Sequence, residues 1–250
     1  MGRPMALEKL RSIWERILTP IVESISWMNP ATITWLALPI GVLGGVSVLL
    51  ASNDDLGVSM LLGGALLITL ALLFDGLDGP VARATGKVTR WGDYLDHTFD
   101  RLLDAAWIVC IAGSIFVNDI VLGLCAAWFT LLGSYMGTQA QAVAGTRNYR
   151  GFSRADRNIL IIAATLLMAI LLYFDPKFSW GNYPGIFDHI AINPLSIVVF
   201  ISALGGIWTF LVRFTQASKQ IKQIDIDDPL PQSVTSEAVS YTHLTLPTNG

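Results

Sequence analysis

The chain has 250 residues, of which 53% are hydrophobic and only 14% are charged, with a formal net charge of −3. Soluble domains usually carry about 25% charged residues, and the mean hydropathy here is +0.55. This composition excludes an ordinary soluble domain and predicts a polytopic membrane protein. The net charge says little by itself, and no nucleic-acid partner is expected.

The N-terminal residues predict a helix that lies on the membrane rather than across it. Over residues 4–22, apolar side chains such as Trp14 and Leu18 recur at helical spacing, and charged ones such as Glu8 and Arg11 fill the other face. This pattern is typical of a helix in the headgroup layer. An amphipathic helix that covers the protein's own surface is the alternative. The segment does not have the form of a cleavable signal peptide, and we expect none.

Six apolar segments follow, and together they predict an all-α membrane protein with six transmembrane helices preceded by the amphipathic interfacial helix. The segments lie near residues 32–51, 57–78, 94–117, 120–144, 157–174 and 194–214. A helix crosses the hydrocarbon core with about 20 residues. We therefore expect residues 1–28 to form a juxtamembrane segment, 29–222 the six-helix domain, and 223–250 a disordered tail that contains no Lys or Arg.

The basic residues predict the orientation of these segments in a cell membrane. All except Lys177 fall near the two termini, in the connections 79–92 and 145–157, or at the adjoining ends of the third and sixth segments. By the positive-inside rule, both termini and both basic connections face the cytoplasm. The third segment begins next to the connection 79–92, so the aspartates at its start are also expected on the cytoplasmic side.

Four aspartates stand out in the apolar sequence: Asp75, Asp78, Asp96 and Asp100. Spacings of three and four residues place each pair on one face of a helix. Because the connection 84–91 is short, we expect the two helices to be antiparallel neighbours whose carboxylates converge. An aspartate near the bilayer centre costs about 2.5–3.5 kcal/mol, so such a cluster predicts bound protons or cations. Oxygen-only ligands favour Mg²⁺, Mn²⁺ or Ca²⁺, and two ions close together favour phosphoryl chemistry.

These aspartates belong to a longer pattern, D-x-x-D-G-x-x-A-R, eight residues, G-x-x-x-D-x-x-x-D. Its remaining defining positions are Gly79, Ala82, Arg83 and Gly92. The pattern resembles the signature of the CDP-alcohol phosphotransferase family, and so does the layout of an amphipathic helix before six spans. The resemblance implies that an alcohol attacks the lipid-bearing phosphorus of a CDP-linked lipid, of the CDP-diacylglycerol or CDP-archaeol type. CMP leaves, and a new phosphodiester forms.

The resemblance also implies roles for the aspartates. Asp75, Asp78 and Asp96 would be metal ligands. Asp100 would help to hold a second ion and would act as the catalytic general base for the acceptor hydroxyl. The implied cofactor is Mg²⁺ or Mn²⁺, as two ions. A homodimer is implied too, because relatives commonly form one.

The other signature residues resemble contacts to the CDP group and its phosphates. Arg83 would hold phosphate oxygens with its planar guanidinium, and Gly79 and Gly92 would let the nucleotide approach the backbone. Ala82 completes this set. Thr34 belongs to an element that resembles one at the start of the family's first span, where Ala31 replaces the customary asparagine.

The fourth segment carries candidate contacts to the acceptor alcohol. Ser134, Gln139 and Gln141 lie towards its cytoplasmic end, and neutral amides suit the recognition of hydroxyl groups. Relatives that use inositol phosphate often have a basic residue in this region, where this chain has Gly137.

Three arginines add positive charge near the same end. Arg154 and Arg157 resemble a basic element in relatives that use phosphorylated acceptors, and Arg213 ends the sixth segment. We therefore expect the small alcohol acceptor to be a phosphorylated polyol, either glycerol phosphate or inositol phosphate. Serine or another neutral alcohol is the alternative, and topology alone is a further explanation of the arginines.

Two other classes of protein use intramembrane carboxylates. A carboxylate-based ion transporter would carry them in mid-span, and an Mg²⁺-dependent membrane prenyltransferase would carry two aspartate-rich motifs further apart. Asp93 and Asp104 lie outside the signature, and we expect them to support the site or an interface. Helical spacing places Asp100, not His97, beside Asp96.

Overall fold

The structure is a computed structural model that describes residues 19–146 and 150–229. Six long helices occupy most of these ranges: α1 Pro30–Leu49, α2 Asp55–Ala84, α3 Arg90–Gly113, α4 Ile120–Ala144, α5 Arg154–Phe174 and α6 Pro194–Asp227. Residues 19–25 are also helical, and a 3₁₀ turn, Gly185–Phe187, precedes α6. No β-strand forms within the described ranges, which confirms the all-α prediction. Most of the amphipathic helix predicted over 4–22 lies outside the described residues.

Side-chain caps fix where the helices begin. Asn29 accepts a hydrogen bond from the backbone N–H of Ala31, with Pro30 at the first helical position of α1. Ser153 and Asp156 form a reciprocal capping box at the start of α5. Such caps satisfy backbone N–H groups that a helix leaves without partners. The six observed helix starts lie within a few residues of the starts of the predicted segments.

Five of the six helices, all except α3, are long and apolar enough to cross a membrane by length and composition. Their outer faces expose large apolar side chains, including Leu66 at 60% and Trp128 at 68%. A surface of this kind needs an apolar solvent, and the multi-pass membrane architecture is thereby confirmed. Helix α3 carries aspartates along much of its length, so a sixth span stays a prediction.

Helix α1 packs closely against both α2 and α3, while α4 packs against α3 and α6, and α5 against α2 and α6. Glycines permit the closest approach, since a Cβ atom at Gly44 would lie 2.9 Å from the backbone nitrogen of Ile68. Trp107 of α3 is fully buried and donates its indole N–H to the carbonyl oxygen of Gly41 at 2.8 Å. These contacts hold α2 and α3 on either side of α1.

Helix α2 and its packing against α3 differ in detail from the prediction. Helix α2 continues through Pro80 to Ala84, so the connection to α3 is shorter than expected. The backbones of α2 and α3 are not among the closely packed pairs of described helices, although carboxylates from the two helices converge as predicted. Helix α1 packs against both of them instead.

The C-terminal helix also extends beyond its predicted end. Helix α6 runs to Asp227, so residues 223–227 are helical although the sequence predicted a disordered tail from 223. Residues 230–250 of that predicted tail lie outside the described residues.

Candidate active site

Three of the four signature aspartates meet between α2 and α3. One carboxylate oxygen from each of Asp75, Asp96 and Asp100 lies within 4.8 Å of the others. Asp96 and Asp100 are one turn apart on α3, and Asp75 faces them from α2. Three carboxylate oxygens this close match the hard, oxygen-only ligand set that Mg²⁺ and Mn²⁺ prefer. The residues therefore fit a divalent cation.

Asp78 lies beside this cluster rather than in it. It is buried, and its Oδ2 accepts a hydrogen bond of 2.5 Å from the hydroxyl of Thr34 on α1. A buried carboxylate without such a partner would be costly. Thr34, expected only from the resemblance, is thus joined directly to a signature aspartate. The role of Asp78 as a metal ligand stays a prediction.

A first cavity, of about 570 Å³, opens on the side of Asp78 and Asp96, and we call it the donor cavity. All five residues predicted to contact the CDP group line it: Thr34, Gly79, Ala82, Arg83 and Gly92. The Arg83 side chain folds over Gly79, since a Cβ atom there would lie 3.3 Å from Arg83 Nη1. A larger residue at 79 would therefore crowd the guanidinium.

The N-terminus of α3 also borders the donor cavity. Thr89 caps this helix by accepting a hydrogen bond of 3.0 Å from the backbone N–H of Gly92. Helix N-termini attract anions because their first N–H groups and the helix dipole both point outwards. Arg83 and the start of α3 together make this cavity suitable for a diphosphate.

A second cavity, of about 420 Å³, lies on the side of Asp100, and we call it the acceptor cavity. Ser134, Arg154, Arg157 and Arg213 line it, as the sequence predicted for acceptor contacts. The aspartate cluster therefore stands between two cavities, one lined by Asp96 and the other by Asp100.

The two glutamines predicted as acceptor contacts do not line the acceptor cavity. Gln139 and Gln141 are exposed. Gln139 is five residues from Ser134, a rotation of about 140° around the helix, so it lies on a different face. Gln141 lies about two helical turns beyond Ser134 along the helix axis. Gly137 is buried and lines neither cavity.

Arg154 connects the acceptor cavity to the aspartate cluster. Its Nη1 donates to Asp75 Oδ2 at 2.9 Å, and its Nε donates to Asp104 Oδ1 at 3.2 Å. Its Nη2 lies 2.6 Å from Asp100 Oδ1, an ion pair that lacks hydrogen-bond geometry. One guanidinium therefore contacts two of the candidate metal ligands.

Arg213 lines the acceptor cavity and also contacts two backbone carbonyl groups. Its Nη1 donates to the carbonyl oxygen of Gly133 at 2.8 Å, and its Nε donates to that of Arg150 at 2.9 Å. Two of its nitrogens thus hold the loop before α5 against α4 and α6. Phe152 of the same loop donates its backbone N–H to Thr209 at 2.8 Å.

Two residues outside the metal cluster add contacts to the site that the sequence did not specify. His97 was expected to point away from Asp96, but its Nδ1 lies 3.2 Å from Asp96 Oδ2 and its ring borders the acceptor cavity. Asp104, which was expected to support the site or an interface, binds both Arg154 and Arg157, and only these partners were not predicted. The available signal for Asp104 was its spacing, because it follows Asp100 by four residues and continues the same face of α3.

Comparison with known proteins shows the family of this chain. The family model for CDP-alcohol phosphatidyltransferase matches residues 27–208. The chain is 28% identical to a phosphatidylinositol phosphate synthase of Cutibacterium acnes over 217 residues, or 83% of this chain and 95% of that protein. It is 36% identical to an archaetidylinositol phosphate synthase of Pyrococcus horikoshii over 150 residues, or 57% of this chain and 76% of that protein.

Solved structures show the same fold. A phosphatidylinositol phosphate synthase of Mycobacterium tuberculosis with CDP-DAG bound matches with a TM-score of 0.60 and 25% identity, covering 81% of this chain and 94% of that one. The same enzyme in complex with manganese and citrate matches with a TM-score of 0.61 and 24% identity, covering 80% and 88%.

The family match decides between the classes that the aspartates alone left open, an ion transporter, a prenyltransferase and a phosphotransferase. It confirms the expected reaction, in which a lipid phosphate moves from a CDP-linked lipid to an alcohol. The helical fold, the complete signature and the match over 27–208 lead to one conclusion: this chain is a membrane transferase of the CDP-alcohol phosphatidyltransferase family.

Proposed function

We propose that this enzyme transfers the lipid phosphate of a CDP-linked lipid to a hydroxyl of an inositol phosphate and releases CMP. The observation that carries the proposal is the acceptor cavity, which Arg154, Arg157 and Asp100 all line. Arginine binds phosphate oxygens with its planar fork. The relatives named above act on inositol phosphate or form its lipid product, which favours inositol phosphate over glycerol phosphate.

The donor cavity would receive the CDP group. Arg83 and the N-terminus of α3 would bind the diphosphate, and Gly79 leaves room for the nucleotide beside the backbone of α2. The lipid chains of the donor would remain in the bilayer, against the exposed apolar faces of the helices.

Asp75, Asp96 and Asp100 would hold a divalent cation, with Asp78 as a further candidate ligand. A bound Mg²⁺ or Mn²⁺, and a second ion of the same kind, would supply charge neutralisation for the diphosphate and the departing CMP. Manganese in the mycobacterial relative supports this assignment.

Asp100 would act as the general base because it borders the acceptor cavity, whereas Asp78 and Asp96 border the donor cavity. The acceptor oxygen forms a bond to the lipid-bearing phosphorus, the bond between that phosphorus and the CMP oxygen breaks, and the acceptor proton passes to Asp100. The carboxylate performs this step only within hydrogen-bond reach of the hydroxyl.

The placement in the cell membrane follows from charge. Basic residues at the α2–α3 connection and before α5 support a cytoplasmic site with both termini on the same side. That side supplies soluble inositol phosphate and divalent cations. We also propose a homodimer, as the family resemblance implies.

The experiment is CMP release by purified protein with CDP-diacylglycerol, Mg²⁺ and a panel of acceptors: inositol phosphate, glycerol phosphate, inositol and serine. Inositol phosphate should give the highest kcat/KM. Asp100→Asn serves as the inactive control, and a chelator should abolish turnover until Mg²⁺ or Mn²⁺ is restored. A preference for serine or inositol would refute a phosphorylated acceptor, and a preference for glycerol phosphate would refute inositol phosphate.

A further inference from the structure

We propose that Asp104 is a positioning residue that holds Arg154 and Arg157 as a paired binding site for the acceptor's phosphate. The inference rests on the function proposed above and names a residue outside the family signature. Asp104 Oδ1 accepts from Arg154 Nε at 3.2 Å, and Asp104 Oδ2 accepts from Arg157 Nη2 at 2.5 Å. Each carboxylate oxygen therefore holds a different arginine.

Helix geometry explains why one carboxylate can serve both arginines. Arg154 and Arg157 are three residues apart in the first turn of α5, so they share a face of that helix. Asp104 lies one turn beyond Asp100 on α3, on the face that also carries the metal-site aspartates. The bridge thus joins the acceptor cavity to the helix that carries the general base.

The charged groups of this arrangement are buried, so each of them needs a partner of opposite charge. The side chain of Asp104 is 3% exposed and that of Arg157 is 7% exposed. Two neighbouring guanidinium groups repel each other in such a place unless a negative group lies between them. Asp104 meets that need, and its two short contacts also fix the direction in which each planar guanidinium faces.

The same cavity contains donors that lack partners. Arg157 Nε is buried and has no hydrogen-bond acceptor among the described residues, and the same holds for the hydroxyl of Thr130. Both residues line the acceptor cavity. An unpaired buried donor is unfavourable, and a phosphate oxygen would supply the missing acceptor. This is the second observation, independent of the Asp104 bridge, that points to an anion in the cavity.

A role in charge balance alone would differ from a role in positioning. Asp104→Glu keeps the negative charge but lengthens the side chain by about 1.5 Å. If Asp104 only balances charge, this variant should behave like the wild type. If it positions the arginines, the KM for inositol phosphate should rise by about tenfold, because displacements of this size disrupt a preorganised site.

The experiment compares the wild type with Asp104→Glu and Asp104→Asn at saturating Mg²⁺. Both variants should raise the KM for inositol phosphate, the asparagine more strongly, while the KM for CDP-diacylglycerol changes by less than about twofold. Asp119→Asn is the matched control, since Asp119 caps α4 at the other end of the bundle and lies 3.1 Å from His189. It should lower Tm and leave both KM values unchanged.

A wild-type KM for inositol phosphate in folded Asp104→Glu would overturn the inference, as would an equal rise of both KM values. Should Asp104→Asn fail to fold, the charge-conserving Asp104→Glu variant still distinguishes a positioning role from charge balance alone. The acceptor panel on the wild type separates the two proposals. A wild type that prefers an unphosphorylated acceptor refutes the proposed function, whereas a wild type that requires inositol phosphate and an unaffected Asp104→Glu refute only the role of Asp104.

Discussion

Arg154 Nη1 donates a 2.9 Å hydrogen bond to Asp75 Oδ2 and so joins α5 to α2 across the active site. The same carboxylate belongs to the cluster that fits a divalent cation. A metal ion and the guanidinium therefore compete for Asp75, and the competition extends to Asp100, which Arg154 also contacts.

We expect Arg154→Gln to bind Mn²⁺ more tightly than the wild type while binding inositol phosphate more weakly. Removing a positive charge this close to the ligands should raise Mn²⁺ affinity by about tenfold or more. Titration of Mn²⁺ followed by electron paramagnetic resonance measures the affinity without turnover. The matched control is Arg101→Gln, because Arg101 Nη1 lies further from the cluster, at 3.7 Å from Asp100 Oδ2. Equal Mn²⁺ affinities in the two variants would contradict direct competition.

Asp100→Asn should separate donor binding from chemistry. Asp100 borders the acceptor cavity but not the donor cavity, so the affinity for CDP-diacylglycerol should be largely kept. Loss of the general base should lower kcat by about 10²–10⁴-fold. The comparison is Asp96→Asn, which borders the donor cavity and should lose both donor affinity and turnover. If Asp100→Asn lost donor binding as severely as turnover, its assignment as the base would be untenable.

Much of the aspartate site follows from the sequence because it depends on spacing within single helices. Asp96 and Asp100 share a face of α3 whatever surrounds that helix. The signature glycines and Arg83 likewise lie within one or two turns of Asp78 or Asp96, so local geometry brings all of them to the donor cavity.

Contacts between distant helices could not be predicted in the same way. The Asp104–Arg157 pair joins α3 to α5 across 53 residues of sequence, and no local pattern specifies which helices meet. The close packing of α1 between α2 and α3 depends on glycine contacts such as the one between Gly44 and Ile68. Gln139 lies outside the acceptor cavity for a local reason, since its helical phase differs from that of Ser134.

Thr34→Val should weaken donor binding without affecting the acceptor. The substitution keeps the shape of the side chain but removes the hydroxyl that donates to buried Asp78 at 2.5 Å. Leaving that carboxylate unsatisfied should lower the free energy of unfolding by about 1–3 kcal/mol. Thermal unfolding and the two KM values are the measurements, and the KM for CDP-diacylglycerol should rise alone.

Thr69→Val is the control for this prediction. The Thr69 hydroxyl donates only within α2, to the carbonyl oxygen of Ala65, so its loss should be nearly neutral in stability and activity. A Thr34→Val enzyme with a wild-type donor KM would show that the hydrogen bond to Asp78 has no part in donor binding.

Gly151→Ala should destabilise the loop that leads into α5. Gly151 has φ of +109°, a conformation that side-chain-bearing residues rarely adopt. A Cβ atom there would also lie 2.7 Å from Thr209 Oγ1 and 2.9 Å from Thr209 Cα. Strain and overlap together should cost about 3 kcal/mol or more. Because the loop precedes Arg154, the KM for inositol phosphate should rise as well.

Gly145→Ala tests whether that loss comes from the contact with Thr209 rather than from positive φ alone. Gly145 has φ of +71° at the end of α4, and a Cβ atom there would meet nothing within 4 Å. The conformational cost alone should be about 1–2 kcal/mol, and the acceptor KM should stay unchanged because Gly145 does not line the acceptor cavity. Equal decreases in Tm for the two variants would mean that the packing of Gly151 on α6 contributes nothing to the stability of the loop.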